Sequence, residues 1–403
     1  MTHLTVAGGV YREMVMWPAS DVVFGSAGRA ACSIARMGVA VELHGYADAL
    51  INEAMSVQAE TYGVSWHPTR IDRGVSFRYT HGLATPAISP YSSSNPTLDI
   101  QAERVLRYGM LEGDARVTAD LAVYDPQNTY TPTWFNANGS KARRLAVVLN
   151  ENEAATLLRE RLPADASAAA VAKAESAEVV VLKCGPRGAL VLENGQIHTI
   201  PAFETHQVSK VGSGDQFAAQ FARAWMIDGL GARDAALEAS KATAYYCERR
   251  EFPTRDDLTE FAPTPLMLGP RWLEGYRAKV YLAGPFFSLN QLWMVEEARQ
   301  LLRHMGLDVL SPYHDIGVGP ASQVVPGDIA AINACDLIYA IGDGLDAGTI
   351  YEVGYARALG RPVVVYAENE TSENLKMMEG TDCFIHRDFV SSIYRAAWIG
   401  CAL

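Results

Sequence analysis

The sequence predicts an α/β protein of two domains. Short apolar runs typical of buried strands alternate with segments of helical apolar spacing along the chain. The length, 403 residues, exceeds what one hydrophobic core usually holds. Residues 261–270 contain three prolines and a glycine, a composition that suits a semi-rigid linker. We therefore expect domains at 1–262 and 278–403, joined by a linker at 263–277.

Composition and charge exclude several classes of protein. Hydrophobic residues make up 49% of the chain, yet no apolar run is long enough to cross a membrane. The formal net charge of −12 argues against a nucleic-acid polymer as partner, although a small nucleoside is compatible with it. The six cysteines form no close pair, which argues against a disulfide framework or a zinc site. A cytoplasmic location is therefore expected.

Two carboxylates occupy a strand-to-helix corner of the C-terminal domain. Apolar runs at 337–341 and 362–366 are typical of buried parallel strands, and the helix between them ends at Gly360. Asp346 and Glu352 then lie at the carboxyl end of the sheet, where open α/β sheets bind ligands. Because an oxocarbenium-like transition state needs nearby negative charge, this pair suits cleavage of a glycosidic bond.

The start of the same domain also alternates strand and helix. Residues 279–283 form an apolar strand that runs into a turn at Gly284. A helix with apolar residues at helical spacing over 292–302 follows, then a short strand at 308–310 and a helix around Asp328. This order predicts a parallel sheet with helices on both faces.

From about Lys279 to the C-terminus, the sequence resembles the nucleoside 2-deoxyribosyltransferases and the related nucleotide N-glycoside hydrolases. The resemblance implies a flavodoxin-like, doubly wound parallel sheet and no cofactor. The residues that carry it are, in chain order, Tyr281-Leu282-Ala283-Gly284-Pro285-Phe286-Phe287, Asp328, and Asp346-Ala347-Gly348-Thr349 followed by Glu352-Val353-Gly354-Tyr355-Ala356.

The resemblance implies a role for four side chains. Glu352 is the expected nucleophile, which attacks the anomeric carbon and forms a glycosyl-enzyme. Tyr281 is expected to hold that carboxylate in place. Asp328 and Asp346 are expected to contact the base and to help protonate it as it leaves.

The same resemblance implies further substrate contacts. Gly284, Phe287 and Gly348 are the expected binding residues within the subunit. In the family, a polar residue from a neighbouring subunit completes the sugar site, and Asn374 is the candidate in this chain. A homo-oligomer is therefore expected.

Other interpretations of these residues remain open. Asp346 has the position of a helix N-cap, and Asp328 in a first helical turn would complement the helix dipole. The loop with Gly317 and Gly319 is either a substrate loop or a plain turn. Glu352 lies in an apolar helix, where a charge without a function is costly. The domain is either a transferase or a hydrolase, and the absence of a basic phosphate loop near 284–285 favours a nucleoside substrate.

The N-terminal domain contains an anion-binding pattern. Gly212, Ser213 and Gly214 open a helix, which leaves backbone N–H groups free at the positive end of its dipole. Asp215 follows directly and has the position needed to take a proton from a hydroxyl that attacks phosphorus.

Roughly residues 3–255 resemble the ribokinase-like (PfkB) carbohydrate and nucleoside kinases. The resemblance implies a three-layer α/β fold, Asp215 as catalytic base, a phosphoryl group held by residues 212–214, and ATP with Mg²⁺. Asn150 and Glu153 would organise the Mg²⁺ ion and its waters. The residues that carry the resemblance are Gly25-Ser26-Ala27-Gly28-Arg29-Ala30-Ala31, Ala35-Arg36-Met37-Gly38, Asn150-Glu151-Asn152-Glu153, Lys183-Cys184-Gly185-Pro186-Arg187-Gly188 and Gly212-Ser213-Gly214-Asp215.

Three positions depart from the kinase pattern. Ser209 replaces an Asp before the anion-binding motif, Arg29 replaces an Asn, and Glu13 stands near the place of a sugar-binding Asp. The phosphoryl-transfer end is therefore kept and the acceptor end altered. An Arg in the acceptor pocket would suit a phosphate or carboxylate group.

These observations predict a cytoplasmic two-domain enzyme that acts on small nucleosides, nucleotides or sugars. The C-terminal domain would cleave an N-glycosidic bond, and the N-terminal domain would transfer phosphate from ATP to a hydroxyl group. Two alternatives remain open: a kinase-like domain without kinase activity, and a nucleotide-sensing protein that binds ligands without turnover.

Overall fold

A computed structural model describes residues 3–90, 95–127 and 131–403. The chain forms two compact units. The first consists of Met1–Thr205 and Ser209–Pro265, and the second of His206–Val208 and Leu266–Leu403. No helix in the described residues combines the length and the apolar character that spanning a bilayer requires.

The first unit alternates strands and helices along most of its length. Its strands are β1 (His3–Ala7), β2 (Arg12–Val15), β3 (Ser20–Val23), β4 (Ala40–Ala47), β5 (Val64–Arg70), β6 (Ser76–Tyr79), β7 (Ala87–Ser89), β8 (Leu98–Tyr108), β9 (Ala115–Asp125), β10 (Lys141–Asn150), β11 (Val179–Lys183), β12 (Ala189–Glu193), β13 (Gln196–Ile200), β14 (Phe203–Glu204) and β15 (Thr264–Pro265). Its helices are α1 (Gly25–Arg36), α2 (Ala49–Tyr62), α3 (Glu151–Leu158), α4 (Ala164–Glu175), α5 (Ser213–Met226), α6 (Ala232–Arg249) and α7 (Arg255–Glu260).

The main sheet of this unit contains nine strands among the described residues, in the order β13-β12-β11-β10-β9-β8-β1-β4-β5. Strands β5, β4, β1 and β8 to β11 run parallel, while β12 and β13 are antiparallel additions at one edge. Strands β3, β2, β6 and β7 form a separate small sheet.

Helices cover both faces of the main sheet, which makes three layers. Residues of α1, α2, α5 and α6 pack on one face, with Ile34, Met55 and Phe221 among the buried side chains. Residues of α3 and α4 pack on the opposite face, with Ala154 and Val171 buried there. The predicted ribokinase-like class of fold is therefore confirmed for the N-terminal unit.

The second unit alternates strand and helix throughout. Its strands are β16 (Lys279–Ala283), β17 (Asp308–Leu310), β18 (Leu337–Ile341), β19 (Val363–Tyr366) and β20 (Phe384–His386). Its helices are α8 (Pro270–Leu273), α9 (Leu289–His304), α10 (Pro312–Asp315), α11 (Ala321–Ala334), α12 (Ala347–Ala358), α13 (Ser372–Glu379) and α14 (Phe389–Cys401).

Within residues 266–403, all of which are described, five parallel strands form a sheet in the order β17-β16-β18-β19-β20. The chain moves from β16 to β17 on one side and then returns to β18 on the other, so the strand order reverses between β16 and β18. Helices α11, α12 and α13 bury one face, and α9 and α14 pack against the strands as well. This is the predicted flavodoxin-like, doubly wound fold.

Helix α11 differs from its predicted position. It begins at Ala321, well before Asp328, and continues through Pro326. The Pro-Gly pair at 326–327 favours a break, but a proline this near the start removes only the hydrogen bond to the carbonyl of Ser322. Asp328 therefore lies in the middle of the helix and does not complement its N-terminal dipole.

Part of the predicted linker, 263–277, has regular structure. Thr264 and Pro265 pair with Phe203 and Glu204 as a short antiparallel ladder. Pro270 starts α8, and Trp272 in that turn is buried.

Candidate active sites

A pocket of about 290 Å³ opens where the strand order of the second unit reverses. Gly284 follows β16, Pro312 follows β17 and Asp346 follows β18, so three strand ends meet at this pocket. The lining residues are Gly284, Phe286, Phe287, Pro312, Gly317, Val318, Gly319, Val324, Asp328, Asp346, Gly348, Thr349 and Glu352.

Glu352 is held by the side chain of a central strand. Tyr281 is fully buried on β16, and its hydroxyl donates a hydrogen bond of 2.6 Å to Oε1 of Glu352. Burial raises the pKa of Glu352 to about 7, the Tyr281 hydrogen bond lowers it, and the charges of Asp328 and Asp346 raise it further. The glutamate therefore changes its charge near neutral pH.

Asp346 caps α12 and also faces the pocket. Its Oδ2 accepts hydrogen bonds from the backbone N–H of Thr349 at 2.9 Å and from the Thr349 hydroxyl at 3.1 Å. The capping interpretation and the functional interpretation thus apply to the same side chain. The cap fixes the carboxylate six residues, between one and two helical turns, before Glu352.

Asp328 brings a third carboxylate to the pocket. Its Oδ1 is buried and has no hydrogen-bond partner among the described residues, and burial raises the pKa of this carboxyl group. A buried acceptor without a partner costs free energy, so a proton or a substrate donor at this atom is favourable.

The remaining wall of the pocket is apolar or made of glycine. Phe287 lines it with 74% of its surface exposed, and its ring centroid lies 5.1 Å from that of Phe286. Gly284 and Gly348 let the backbone approach the pocket closely. Exposed aromatic rings beside three carboxylates suit a planar, polar ligand such as a nucleobase.

From the sequence, the loop after α10 is either a substrate loop or a plain turn. Gly317 and Gly319 do line the pocket. His314 is not among the lining residues; its Nε2 lies within hydrogen-bond distance of Glu296 at 2.6 Å, and its Nδ1 contacts Ser311 at 3.0 Å. Among the described lining residues none carries a positive charge.

Asn374 does not line this pocket. It lies on α13 and donates a hydrogen bond of 2.9 Å to Glu370. It also borders a second, more apolar cavity of about 670 Å³ with Ile350, Met377 and other side chains of α12 and α13. Its predicted contribution to a neighbouring subunit stays a prediction.

The anion-binding pattern of the first unit lies at the start of α5. Gly212 is the N-cap residue with a φ of 81°, which brings the backbone N–H groups of the next residues to the helix start. Asp215 is buried in the first turn, and its backbone carbonyl accepts a hydrogen bond from Tyr108 at 2.9 Å.

Arg29 connects this motif to Glu13. Its Nη1 donates to Oδ2 of Asp215 at 2.8 Å, and its Nη2 donates to Oε2 of Glu13 at 2.6 Å. All three side chains are almost completely buried. A Cβ atom at Gly212 would lie 2.2 Å from Nε of Arg29, so the guanidinium covers the first glycine of the motif. Glu13 and Arg29, which depart from the kinase pattern, thus form one ion cluster with Asp215, the expected catalytic base.

Two lysines near the same motif carry positive charges whose role was not predicted from the sequence. Nζ of Lys183 donates to Asp125 at 2.6 Å, and a Cβ atom at Gly214 would lie 3.8 Å from that nitrogen. Nζ of Lys210 donates to Ser213 at 2.8 Å, and burial lowers the pKa of Lys210. Lys210 is close to the helix start in sequence, whereas the tertiary fold brings Lys183 there; both cations suit phosphate groups.

The residues expected to hold Mg²⁺ fit that ion by their chemistry. Asn150 and Glu153 form a capping box at α3, with Glu153 accepting from the Asn150 N–H at 2.7 Å. Asp125 nearby has a buried Oδ1 without a partner among the described residues, and burial raises the pKa of this carboxyl group although Lys183 opposes it. Such oxygen atoms suit a hard cation or its waters.

Comparison with protein families gives a match in each half of the chain. Residues 112–251 match the family described as pfkB family carbohydrate kinase. Residues 280–385 match the family described as nucleoside 2-deoxyribosyltransferase. Both predicted families are confirmed, and the chain combines a kinase-family segment with a deoxyribosyltransferase-family segment. No curated protein sequence matches it.

Solved structures similar to this chain include several kinases. A ribokinase from Thermotoga maritima is 15% identical, with 64% of this chain and 98% of that chain covered and a TM-score of 0.46. A nucleoside kinase from Methanocaldococcus jannaschii is 14% identical, with coverages of 64% and 97% and a TM-score of 0.47. Phosphofructokinase-2 from Escherichia coli, in complex with potassium, is 12% identical, with coverages of 64% and 98% and a TM-score of 0.48.

The hydrogen bond from Tyr281 gives the first prediction. Tyr281→Phe removes a donor that favours the charged carboxylate, so the pKa of Glu352 should rise above about 7. Because a carboxylate acts as a nucleophile only when deprotonated, the acidic limb of kcat/KM for the N-glycosidic cleavage proposed below should move to higher pH. The measurement is a pH–rate profile over about pH 5 to 9.

Tyr339→Phe is the matched control, because Tyr339 is also a fully buried strand tyrosine but its hydroxyl contacts Ser392 at 2.7 Å. Its profile should keep the original limb. An unchanged limb in Tyr281→Phe would mean that Tyr281 does not set the charge of Glu352.

Proposed function

We propose that the C-terminal unit cleaves the N-glycosidic bond of a nucleoside through a covalent intermediate on Glu352. The observation that carries this proposal is the carboxylate held by Tyr281 at 2.6 Å in a pocket with Asp328 and Asp346. The match to the deoxyribosyltransferase family agrees with it.

The first step forms one bond and breaks another. An oxygen of Glu352 attacks the anomeric carbon, and the bond from that carbon to the base nitrogen breaks with its electron pair on the base. A proton must reach the leaving base, and Asp328, whose pKa is raised by burial, is the side chain suited to supply it. Asp346, fixed by Thr349, would accept a hydrogen bond from the base.

The second step decides between transfer and hydrolysis. A nitrogen of a second base or a water molecule attacks the same carbon and gives its proton to Asp328, which lost one in the first step, and the carboxylate of Glu352 is released. Incubation of the purified protein with a deoxynucleoside and a second base distinguishes the outcomes. A new nucleoside indicates a transferase and free base alone a hydrolase. Binding without products would support a nucleotide sensor and contradict the proposal.

The charge of the pocket favours nucleosides over nucleotides. It contains three carboxylates, Asp328, Asp346 and Glu352, and no basic side chain among its described lining residues. A phosphate group would be repelled at short range, since unlike charges are needed to offset its loss of water. Comparison of a deoxynucleoside with its 5′-monophosphate tests this preference.

Glu352→Gln should abolish cleavage, because the amide keeps the size of the side chain but cannot act as the nucleophile. We expect a loss of at least about 10³-fold in kcat, since even loss of a general base typically costs about 10²- to 10⁴-fold. A slow substrate should also leave a sugar adduct on Glu352 of the unmodified protein, detected by mass spectrometry of its peptides.

The control for this substitution is Glu379→Gln, at an exposed glutamate of α13. It should retain full activity. Near-normal cleavage by Glu352→Gln, or an adduct on another residue, would contradict the assignment of the nucleophile.

We further propose that Asn374 acts in the site of a neighbouring subunit, since it does not line the pocket of its own chain. Glu352→Ala and Asn374→Ala proteins should each be inactive. Mixed under subunit exchange, they should regain part of the activity, because some sites then combine an intact Glu352 with an intact Asn374.

Lys376→Ala, at an exposed position on the same helix, should be active alone. A mixture that stays inactive although its subunits demonstrably exchange would mean that Asn374 does not act across subunits.

For the N-terminal unit we propose phosphoryl transfer from ATP to a hydroxyl group. Asp215 at the start of α5, with Lys183 and Lys210 close to the same glycines, supports it. ATP with Mg²⁺ would supply the phosphoryl group, held by residues 212–214 and organised by Asp125, Asn150 and Glu153. The contacts of Asp215 bear on the activity, because Arg29 donates to its Oδ2 and Gln127 to its Oδ1, so an acceptor hydroxyl has to share or displace one of them.

Asp215→Asn should remove phosphoryl transfer with little loss of ATP affinity. The backbone N–H groups bind phosphate whatever the side chain at 215, while loss of a general base typically costs about 10²- to 10⁴-fold in rate. Isothermal titration with ATP and Mg²⁺ measures binding, and phosphate transfer to candidate sugars and nucleosides measures the rate. Arg29→Ala should weaken acceptor binding more than ATP binding.

Asp72→Asn, at an exposed loop aspartate, is the control and should change neither quantity. No ATP binding by the unmodified protein would contradict the kinase proposal and support a kinase-like domain without kinase activity.

A further inference from the structure

Three side chains with metal-ligand chemistry meet on the outer strands of the N-terminal sheet. Glu42 and His44 are two positions apart on β4 and therefore point to the same face. The parallel register places His44 directly beside His67 on β5, the edge strand of that sheet. Backbone pairing alone thus fixes one carboxylate and two imidazoles next to each other.

The distances between these groups are those of a cluster without direct hydrogen bonds. One ligand atom from each of Glu42, His44 and His67 lies within 4.8 Å of the others. The Glu42 Oε2 to His44 Nε2 distance is 4.0 Å, too long for a hydrogen bond. The two imidazole rings are stacked, with centroids 4.7 Å apart and planes 15° apart.

The exposure of the cluster agrees with metal binding. The side chains of Glu42 and His44 are 47% and 29% exposed, so an ion can reach them from solvent. Ser65 lies 3.0 Å from Nε2 of His67 and fixes the orientation of that ring.

We propose that Glu42, His44 and His67 bind one divalent cation of the zinc class. Two nitrogen ligands and one carboxylate oxygen suit Zn²⁺, Co²⁺ or Ni²⁺, whereas Mg²⁺ and Ca²⁺ prefer oxygen alone. Bonds of about 2.0 to 2.1 Å in a tetrahedral site place ligand atoms roughly 3.3 Å apart, so small side-chain rotations close the observed gaps. Water would complete the coordination.

A metal bound at this site would stabilise the edge of the sheet. A metal held by β4 and β5 cross-links the outermost strand to its neighbour. We therefore expect slower amide exchange in residues 64–70 when metal is bound. This expectation does not depend on either proposed catalytic activity.

The test uses the full-length protein without a polyhistidine tag, after removal of metals with a chelator. Isothermal titration with ZnCl₂ should give one bound ion per chain. His44→Ala and His67→Ala should each weaken binding at least about 10-fold, since loss of even an outer partner of a ligand commonly costs about 10- to 100-fold. Co²⁺ should give visible absorption bands of nitrogen and oxygen ligands, and Zn²⁺ should slow exchange in β5.

His198→Ala is the matched control, because His198 also lies on an edge strand, β13, at the other side of the same sheet. It should bind Zn²⁺ as the unmodified protein does. Two results would overturn the proposal: no stoichiometric binding, or binding that persists in both His44→Ala and His67→Ala. A thiolate charge-transfer band with Co²⁺ would place the metal on a cysteine and would also overturn it.

Discussion

Burying a carboxylate costs free energy, and the structure of each unit of this chain depends on the neighbouring group that offsets this cost. In the second unit, a neutral donor faces Glu352, because Tyr281 gives it one hydrogen bond of 2.6 Å from the middle of the sheet. Two further carboxylates lie near this group. The reversal of strand order and the cap of α12 place Asp346 there, and Asp328 reaches it from the middle of α11. Its pKa of about 7 results from that arrangement, with burial as the main cause.

The first unit meets the same cost with a full positive charge. Arg29 joins Asp215 and Glu13 in an almost completely buried cluster, and such a cluster is stable only when its members stay together. One carboxylate is thus adjustable by protons near neutral pH, while the other is tied to a guanidinium. The two halves of the chain thus place the same chemical group, a carboxylate, in different electrostatic surroundings.

Local patterns explain what the sequence could predict. Tyr281, Asp346 and Glu352 each follow from a strand, its end and the next helix, and these motifs place them with few assumptions. The contact between Arg29 and Asp215 joins positions 186 residues apart, so no local pattern contains it. The pair of Asp125 with Lys183 and the Glu42 cluster depend on strand order and register, which a single sequence does not specify. The start of α11 was missed because a Pro-Gly pair normally ends a helix and here does not.

The division of the chain into units limits how the protein can be cut into fragments. His206–Val208 belongs to the second compact unit, although the residues on both sides of it belong to the first. Val208 is buried, and its N–H donates to Ser391 at 2.9 Å. No single cut can therefore release a complete second unit, and a fragment starting at Leu266 would leave the Ser391 hydroxyl without this donor.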